Sequence, residues 1–366
     1  MNSIIDFESF LYYLLVLILS VYFAWKYEET NKKFFLYLSF AINCFFACIR
    51  LCVGNDYVSY ATEFIEFSKD PNIDYRYEPA HFLLTYLFQW DLSGYIYVVG
   101  IEYIIAYAIL YKAFVEEKIL SIGIFVSITL GFQILCFDGI RQGISLAIFF
   151  YSIKYVKSGD YKRYLLCIVG GAFFHYSILL TLPAYIVRYF RFNKYLGIFL
   201  ILSSYFMLLT NRVQFFDEYL YGVLDNLGYR ALRFFEREEF AGGLGVLFKN
   251  IVGVLACLNI KNNSQNKEYF NLVIIGCIIN NLVNGLFSLV RFADYGYYVI
   301  IFVLPYIIKQ EKKYFIKLAY NSLFLGYFVF LILLGKNQHG ATPYQTFFGK
   351  DTEHPERYVP LRRSDL

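Results

Sequence analysis

Apolar runs of membrane-spanning length, roughly 20 residues, recur from one end of the chain to the other, and short polar stretches separate them. This pattern predicts an all-α, polytopic integral membrane protein. We expect about ten to twelve transmembrane segments, together with one or two re-entrant or half-helices. No linker rich in proline, glycine or serine divides the runs, so residues 1–366 are predicted to form a single integral membrane domain.

Lysine clusters in alternate polar stretches orient the predicted helices. By the positive-inside rule, Lys26, Lys32 and Lys33 place the first connecting loop in the cytoplasm and the N-terminus outside. The same rule predicts three outer polar segments: 53–79, 210–243 and 335–366.

A charged hinge at 137–142 interrupts the apolar runs 121–136 and 143–156. A charge such as Asp138 or Arg141 costs about 2.5–3.5 kcal/mol at the centre of a bilayer and less near an interface. Charges retained at such a cost indicate a functional site. The alternative is that Asp138 caps a helix while Arg141 anchors the chain at the membrane interface.

The apolar segment 164–187 has basic residues on both sides, which a single span does not satisfy. One interpretation is a broken hairpin that bends near 174–177. Re-entrant backbone is tolerated in a membrane only where it lines a cavity or is buried in protein, so His175 would then lie at a cavity floor. The other interpretation is a plain span with one exception to the charge rule.

Composition agrees with a membrane protein, since 58% of residues are hydrophobic and 17% are charged, against about 25% charged in soluble domains. The chain has 37 tyrosines and 40 phenylalanines, more than two interfacial belts need. A tyrosine surplus suits a cavity for ring-shaped, hydroxylated ligands, although compositional bias of the genome also explains it. The seven cysteines form no CxxC pair and the four histidines are scattered, so neither a metal site nor a cofactor is predicted.

The basic residues at the predicted outer side are mainly arginines. The guanidinium is a planar fork of donors that binds phosphate in two places, which lysine cannot do. Several arginines facing one cavity would suit an anionic, membrane-tethered ligand such as a lipid diphosphate, whereas a single arginine can simply anchor the chain at the interface. The arginines concerned are Arg50, Arg141, Arg291, Arg212, Arg230, Arg233 and Arg237.

Carboxylates also fall near the predicted outer helix ends. A sugar hydroxyl that attacks an anomeric carbon benefits from a general base, and a carboxylate or His175 can serve. Alternatively, each carboxylate only orients a neighbouring arginine, as the pairs Asp138/Arg141, Arg50/Asp56 and Arg291/Asp294 indicate. The candidate carboxylates are Asp56, Glu78, Asp138 and Asp294.

Five short motifs occur in an order that resembles the EpsG family, a branch of the Wzy-type O-antigen and capsular polysaccharide polymerases. No single motif is specific, but together they cover the chain from about residue 45 to the final helix. Asn55 stands where the family pattern has threonine. The motifs are Arg50–Tyr60 (RLCVGNDYVSY), Glu78-Pro79, Phe137–Ala147 (FDGIRQGISLA), Ala172–Pro183 (AFFHYSILLTLP) and Arg291–Tyr298.

The resemblance implies a metal-independent membrane glycosyltransferase at the outer face of the bacterial cytoplasmic membrane. It would join undecaprenyl-diphosphate-linked repeat units into O-antigen, capsule or exopolysaccharide and release undecaprenyl diphosphate. A chain-length regulator and a flippase of the same pathway are the implied partners, and no nucleic acid is involved. Carried over by motif, the candidate catalytic residues are His175, Asp56 and Glu78. The candidate diphosphate- and glycan-binding residues are Arg50, Arg141, Gln142, Arg291, Arg230, Arg233, Tyr57 and Tyr295.

Two other functions remain open at this point. A polysaccharide-lipid flippase or transporter would also need a basic cavity, but internal pseudo-symmetry and charges at mid-membrane would be expected. A membrane acyltransferase or ligase that modifies the glycan is the second alternative. Only the family-like order of the motifs favours a polymerase over these two.

Overall fold

The computed structural model describes residues 6–72, 78–210, 243–260, 266–284, 287–334 and 340–359. Within these ranges the chain is helical and contains no strand, apart from an isolated antiparallel bridge between Arg50 and Thr346. The predicted all-α class is therefore confirmed.

The α-helices in the described ranges are α1 (Phe7–Thr30), α2 (Lys33–Cys48), α3 (Asn55–Lys69), α4 (Pro79–Phe88), α5 (Tyr95–Glu116), α6 (Leu120–Thr129), α7 (Phe132–Asp138), α8 (Ile140–Ser158), α9 (Tyr161–Ala172), α10 (Lys194–Leu209), α11 (Leu244–Leu258), α12 (Lys267–Leu282), α13 (Phe287–Tyr297), α14 (Ile300–Gln310) and α15 (Tyr314–Val329). A 3₁₀ helix, Tyr176–Tyr189, follows α9. A π-helical turn, Phe330–Leu334, continues α15, and a short 3₁₀ turn spans Pro355–Tyr358.

Four helical stretches in the described ranges are long and apolar enough to cross a membrane, and a fifth is possible if the bent pair α6–α7 counts as one span. The expected ten to twelve spans are not confirmed. Helices α2, α10 and α11 are apolar but have fewer than 18 residues, because the chain breaks several apolar runs into shorter pieces. The four stretches are Phe7–Thr30, Tyr95–Glu116, Val290–Gln310 and Tyr314–Leu333.

A break inside the run 119–136 illustrates this difference. The sequence predicts one straight span there, but α6 ends at Thr129 and α7 begins at Phe132, with a bend of 59°. Gly131 lies between them with φ +81° and ψ +14°, a left-handed conformation that glycine adopts without steric cost. The pattern of apolar residues gives no sign of this turn, because the residues on both sides of it are themselves apolar.

The chain divides into two compact units. Unit 1 consists of 1–151, 169–176 and 308–366, and unit 2 consists of 152–168 and 177–307. In unit 1, α1 packs against α2 and α6, and α2 packs against α5. In unit 2, α10 packs against α11 and α12, and α12 packs against α13. The prediction of a single integral domain stays a prediction.

Buried tyrosines join the helices of unit 1. Tyr103 on α5 donates to Asn43 Oδ1 on α2 over 2.9 Å and stacks on Tyr107 with ring centroids 4.4 Å apart. Tyr13 on α1 donates to the carbonyl of Ala341 over 2.7 Å. A tyrosine fills space with its ring and satisfies its hydroxyl at a helix interface. Part of the tyrosine surplus therefore serves helix packing.

Small and polar residues hold unit 2 together. Gly276 on α12 and Gly296 on α13 approach so closely that a Cβ on either would meet the backbone of the other. Asn250 and Asn281 exchange side-chain amide hydrogen bonds of 2.9 and 2.7 Å, and Asn281 also donates to Ser204 Oγ over 2.9 Å. Small residues and interhelical amide bonds are the usual means of helix association in lipid.

The segment 164–187 forms a hairpin. Tyr164 donates to the carbonyl of Thr181 over 2.6 Å, and the rings of Tyr161 and Tyr185 lie 5.0 Å apart between centroids. The earlier residue of α9 contacts the later residue of the 3₁₀ helix in these two pairs, so α9 and the 3₁₀ helix run antiparallel. The turn between them contains His175. The broken-hairpin interpretation agrees with this geometry, and the single straight span does not.

Candidate functional site

One carboxylate in unit 1 is shared by an arginine and a histidine. Glu78 Oε1 lies 2.7 Å from His175 Nδ1, and Glu78 Oε2 accepts a hydrogen bond from Arg141 Nη1. The side chains of Glu78, Arg141 and His175 are 7%, 16% and 18% exposed. The structure therefore brings together three sequence-predicted residues from three distant motifs in a site that is largely, but not fully, closed.

Glu78 is positioned by the start of α4. It is the N-cap residue of that helix, and Pro79 occupies the first turn, where its missing N–H is not needed. The amide of Ala80 donates to the carbonyl of Phe173 over 2.9 Å. This bond ties the first turn of α4 to the hairpin turn that carries His175.

Arg141 is positioned by the break between α7 and α8 at Gly139. Its guanidinium carbon lies 5.2 Å from the ring centroid of Tyr60 on α3, and its Nε lies 3.5 Å from the Tyr60 hydroxyl. A cation above a ring face gains electrostatic attraction. Contacts with Tyr60 and Glu78 therefore both position the Arg141 guanidinium.

The backbone of the loop before α3, at Gly54, is in close contact with the backbone of the hinge at Phe137. Gly54 has φ +103°, and a Cβ there would collide with the carbonyl of Phe137. Asp138 Oδ1 accepts a 2.9 Å hydrogen bond from the amide of Asn55, at the first turn of α3. Only glycine fits this approach, which explains why the motifs at 50–60 and 137–147 lie side by side.

His175 is held by the hairpin turn. Its amide donates to the carbonyl of Gly171 over 3.0 Å, and Ser145 Oγ on α8 donates to the same carbonyl over 3.1 Å. The turn is thus tied to α8, the helix that carries Arg141.

The ionisation of Glu78 determines which ring nitrogen of His175 carries the proton. Burial alone would raise its pKa, but the hydrogen bond from His175 and the charge of Arg141 outweigh burial and hold the pKa at about 2. An ionised carboxylate only accepts hydrogen bonds, so His175 Nδ1 is the donor. In neutral His175 the second ring nitrogen, Nε2, is then the basic one.

Asp138 caps a helix, which is one of the two roles that the sequence left open for it. Its Oδ1 accepts from the amide of Asn55 in the first turn of α3, and Glu78 supplies a carboxylate to the Arg141 guanidinium. Pairing by proximity in sequence did not indicate Glu78 as a partner of Arg141, and the Asp138/Arg141 pairing stays a prediction.

Arg50 lies behind the hinge and is only 1% exposed. It donates to the carbonyls of Ala47 and Val53 over 2.5 and 3.4 Å, and its guanidinium carbon is 4.5 Å from the Phe137 ring centroid. Its Nη2 has no hydrogen-bond partner among the described residues. Tyr57 is also buried and donates to the Arg50 carbonyl over 3.0 Å. A role of Arg50 and Tyr57 in diphosphate or glycan binding stays a prediction.

Asp56 and Gln142 flank the hinge. A Cβ placed on Gly139 would lie 3.9 Å from Asp56 Oδ2 and from Gln142 Oε1. Gln142 is buried in the first turn of α8. Both predicted residues therefore belong to the same neighbourhood as Arg141.

The remaining predicted residues belong to unit 2 or fall outside the described ranges. Tyr295 is buried, and its hydroxyl lies 2.9 Å from Ser177 Oγ. Arg291 is partly exposed on α13. The loop arginines Arg230 and Arg233 lie outside the described residues, as do Arg212 and Arg237.

Sequence reasoning missed one buried pair and, for the candidate carboxylate Asp294, one partner. His81 Nδ1 and Glu102 Oε1 form a buried pair 2.8 Å apart, and the His81 ring lies 5.5 Å from that of Tyr60. In unit 2, Lys249 Nζ lies 3.8 Å from Asp294 Oδ1. A lone acid inside an apolar run, as at Glu102, is the signal that could have found the first pair. Across the described ranges, no cluster of three His, Cys, Asp or Glu residues could hold a metal ion.

Helices long enough to cross a membrane, together with a buried Arg–Glu–His cluster, define a polytopic helical membrane protein with a candidate anion-handling site. The sequence model of the EpsG family matches residues 33–346, and the chain belongs to this family. It is thereby a membrane protein of the polysaccharide-polymerase type. No curated protein and no solved structure gives a significant match to the chain. Residues Glu78, Arg141 and His175 all fall inside the matched range.

Proposed function

We propose that this chain is a glycosyltransferase-type polymerase that joins undecaprenyl-diphosphate-linked repeat units. The reaction takes place at the outer face of the bacterial cytoplasmic membrane, and undecaprenyl diphosphate is released. The observation that carries the proposal is the Glu78 carboxylate shared by Arg141 and His175. It sets a base and an anion-binding group side by side, as a transfer from a diphosphate requires.

His175 is the general base. A hydroxyl oxygen of the acceptor sugar attacks the anomeric carbon of the donor, and its proton passes to His175 Nε2. Glu78 accepts from Nδ1–H, which orients the ring and stabilises the imidazolium that forms. With its pKa held at about 2, the Glu78 carboxylate is too weak a base to take the proton itself.

Arg141 binds the leaving group. The bond between the anomeric carbon and the diphosphate oxygen breaks, and the electron pair leaves with undecaprenyl diphosphate. A guanidinium already fixed by Glu78 and Tyr60 stabilises the developing charge without having to reorganise during the reaction. Asp56 and Gln142, beside the hinge, are proposed to contact the glycan. A chain-length regulator and a flippase remain the proposed pathway partners.

The proposal is tested by deleting the gene in the producing bacterium and resolving the surface glycan on gels. A polymerase deletion leaves a single repeat unit where long chains stood, whereas loss of even that unit indicates a flippase. Complementation with wild type should restore the ladder, and Arg141→Lys at equal protein level should not. Arg163→Lys, at an exposed arginine outside the site, is the matched control. A full ladder from Arg141→Lys would contradict the assigned role of the guanidinium fork.

A further inference from the structure

A groove in unit 1 lies apart from the candidate active site. It runs between α1 and α2 beneath the C-terminal segment 340–359 and has a volume of about 750 Å³. Its walls are apolar and include Leu15, Leu19, Ile42 and Phe45. None of the three residues Glu78, Arg141 and His175 lines it. The groove is therefore a second feature that the proposed reaction does not use.

The depth of the groove matches half a membrane. Its lining positions on α1 extend from Glu8 to Leu19, which is about 16 Å at roughly 1.5 Å per helical residue. The hydrocarbon core of a bilayer is about 30 Å thick, so one leaflet is about 15 Å deep. Helix α1 is itself long and apolar enough to cross a membrane. A groove of this depth on such a helix suits a chain from a single leaflet.

The polar lining residues gather at one end of the groove. Glu8 lies in the first turn of α1, and the amide of Tyr344 donates to Ser9 Oγ over 2.6 Å. The amide of Phe347 donates to the carbonyl of Ile49, just after α2. These bonds place the C-terminal segment, with its polar residues, at the start of α1. The groove is thus apolar along its length and polar at its mouth.

The mouth carries one cation and one anion. Lys350 Nζ donates to Gln345 Oε1 and lies 4.9 Å from the Tyr358 ring centroid. Partial burial lowers the pKa of Lys350, and no ion pair joins it to a carboxylate among the described residues. Glu8 accepts from the Tyr12 hydroxyl over 3.1 Å and is exposed. A purely anionic headgroup would be repelled by Glu8, whereas a zwitterionic one matches both charges. Of the zwitterionic headgroups, ethanolamine has N–H groups that can donate to the Glu8 carboxylate, and the quaternary ammonium of choline has none.

We propose that this groove binds one phospholipid with an ethanolamine headgroup. An acyl chain lies along α1 and α2, the phosphate contacts Lys350, and the ammonium contacts Glu8. The depth of one leaflet favours an acyl chain over a polyprenyl chain, which is far longer than one leaflet. The inference is independent of the proposed polymerase reaction.

Lipid binding would stabilise the C-terminal segment. Tyr344 lines the groove, stacks on Phe46 with centroids 4.0 Å apart, and belongs to the segment that bridges to Arg50 at Thr346. A ligand that binds only the folded state raises its stability, and the gain grows with the logarithm of ligand concentration above the Kd. The bound lipid should therefore raise the unfolding temperature of the protein.

The headgroup is tested with full-length protein purified in mild detergent, delipidated, and incubated with dioleoyl phosphatidylethanolamine, phosphatidylglycerol or phosphatidylcholine. Native mass spectrometry counts the retained lipid, and thermal unfolding reports stabilisation. We expect one phosphatidylethanolamine per chain, bound at least about tenfold more tightly than the other two lipids. Lys350→Gln should weaken it by about tenfold, and Lys33→Gln, exposed at the far end of α2, should not. Equal retention of all three lipids would overturn the headgroup assignment.

The groove itself is tested with two phenylalanines of α2. Phe45 and Phe34 are 61% and 67% exposed, but only Phe45 lines the groove. Phe45→Ala should reduce lipid retention several-fold, while Phe34→Ala should leave it unchanged. No retained lipid, or equal retention by both variants, would refute the site. Preferential retention of a lipid-linked saccharide would refute the phospholipid as occupant. Each of these results leaves the test of polymerisation intact.

Discussion

Two arginines of unit 1 lie near the same hinge in opposite surroundings. Arg50 is 1% exposed, donates to backbone carbonyls, and faces the ring of Phe137. Arg141 binds a carboxylate that also holds His175, and its side chain is 16% exposed. A buried guanidinium surrounded by carbonyls and a ring stabilises backbone. A partly open guanidinium beside a histidine is placed to act on a ligand.

Under the proposed function, residue type and distance from a helix end do not separate a structural arginine from one that acts on the ligand. Both arginines lie in family-like motifs near predicted outer helix ends. Only tertiary contacts distinguish them, because the partners of Arg141 come from segments more than thirty positions away in the sequence. Making the same substitution, arginine to lysine, at each of the two positions is therefore the most informative comparison.

Of the two arginine variants, Arg141→Lys should have the larger effect on polymerisation. Losing the planar fork should lower the rate by about 10²–10³-fold, the usual cost of removing one pre-aimed donor to a developing anion. The folded fraction should stay close to wild type. The measurement is the rate of chain extension by purified protein in liposomes, and an unchanged rate would place the diphosphate elsewhere.

Arg50→Lys should show the opposite behaviour. It keeps the charge but loses ring contact and hydrogen bonds, which we expect to cost about 3 kcal/mol of folding free energy. Extension per folded molecule should stay within a few-fold of wild type. Unfolding midpoint and extension rate are measured on the same sample. A stable but inactive Arg50→Lys protein would show that Arg50 acts on substrate.

Acid should destabilise the Glu78 cluster. Burial opposes ionisation, but His175 and Arg141 still lower the pKa of Glu78 from 4.5 to about 2. A depressed carboxylate pKa contributes stability that is fully present above about pH 4.5 and is lost as pH falls towards 2. At about 1.4 kcal/mol per pKa unit this shift is worth about 3 kcal/mol, and because the group is partly solvent-screened we expect a loss of about 2 kcal/mol in wild type and none in Glu78→Gln. Equal acid sensitivity of both proteins would argue against the shared carboxylate.

The smallest expected effect concerns the loop beside Arg50. Gly54→Ala must adopt a positive φ and displace the carbonyl of Phe137, at a cost of about 1–2 kcal/mol. Gly170→Ala, where a Cβ meets no atom within 4 Å, is the matched control. Thermal unfolding compares them. Equal midpoints would mean that the loop and hinge are not in close contact.

Sequence predicted the all-helical class and the hinge at Gly139, and it singled out Glu78, Arg141 and His175, which the structure brings together and whose roles stay predictions. Each of these leaves a local signal in composition, breaking residues or motif order. The sequence did not predict which side chains contact one another. The Glu78–Arg141 contact, the Asn55 cap by Asp138 and the burial of Arg50 depend on contacts between distant segments.

The number of transmembrane spans could not be predicted from the sequence either. Apolar runs such as 119–136 bend at a glycine without any polar residue to mark the break, so run length overestimated helix length. The buried pair His81–Glu102 was missed because an acid within the apolar run of α5 was read as part of a span. Hydropathy averages over a window and hides a single charge.

The central claim, that Glu78 holds both a base and an anion-binding group, is tested most directly by single-turnover extension of a lipid-diphosphate-linked repeat unit in liposomes. Wild type, His175→Asn and His354→Asn are compared at equal folded fraction, His354 being an exposed histidine outside the site. The account predicts an extension rate lower by about 10²–10⁴-fold for His175→Asn, and no change for His354→Asn. An undiminished rate in His175→Asn would contradict it.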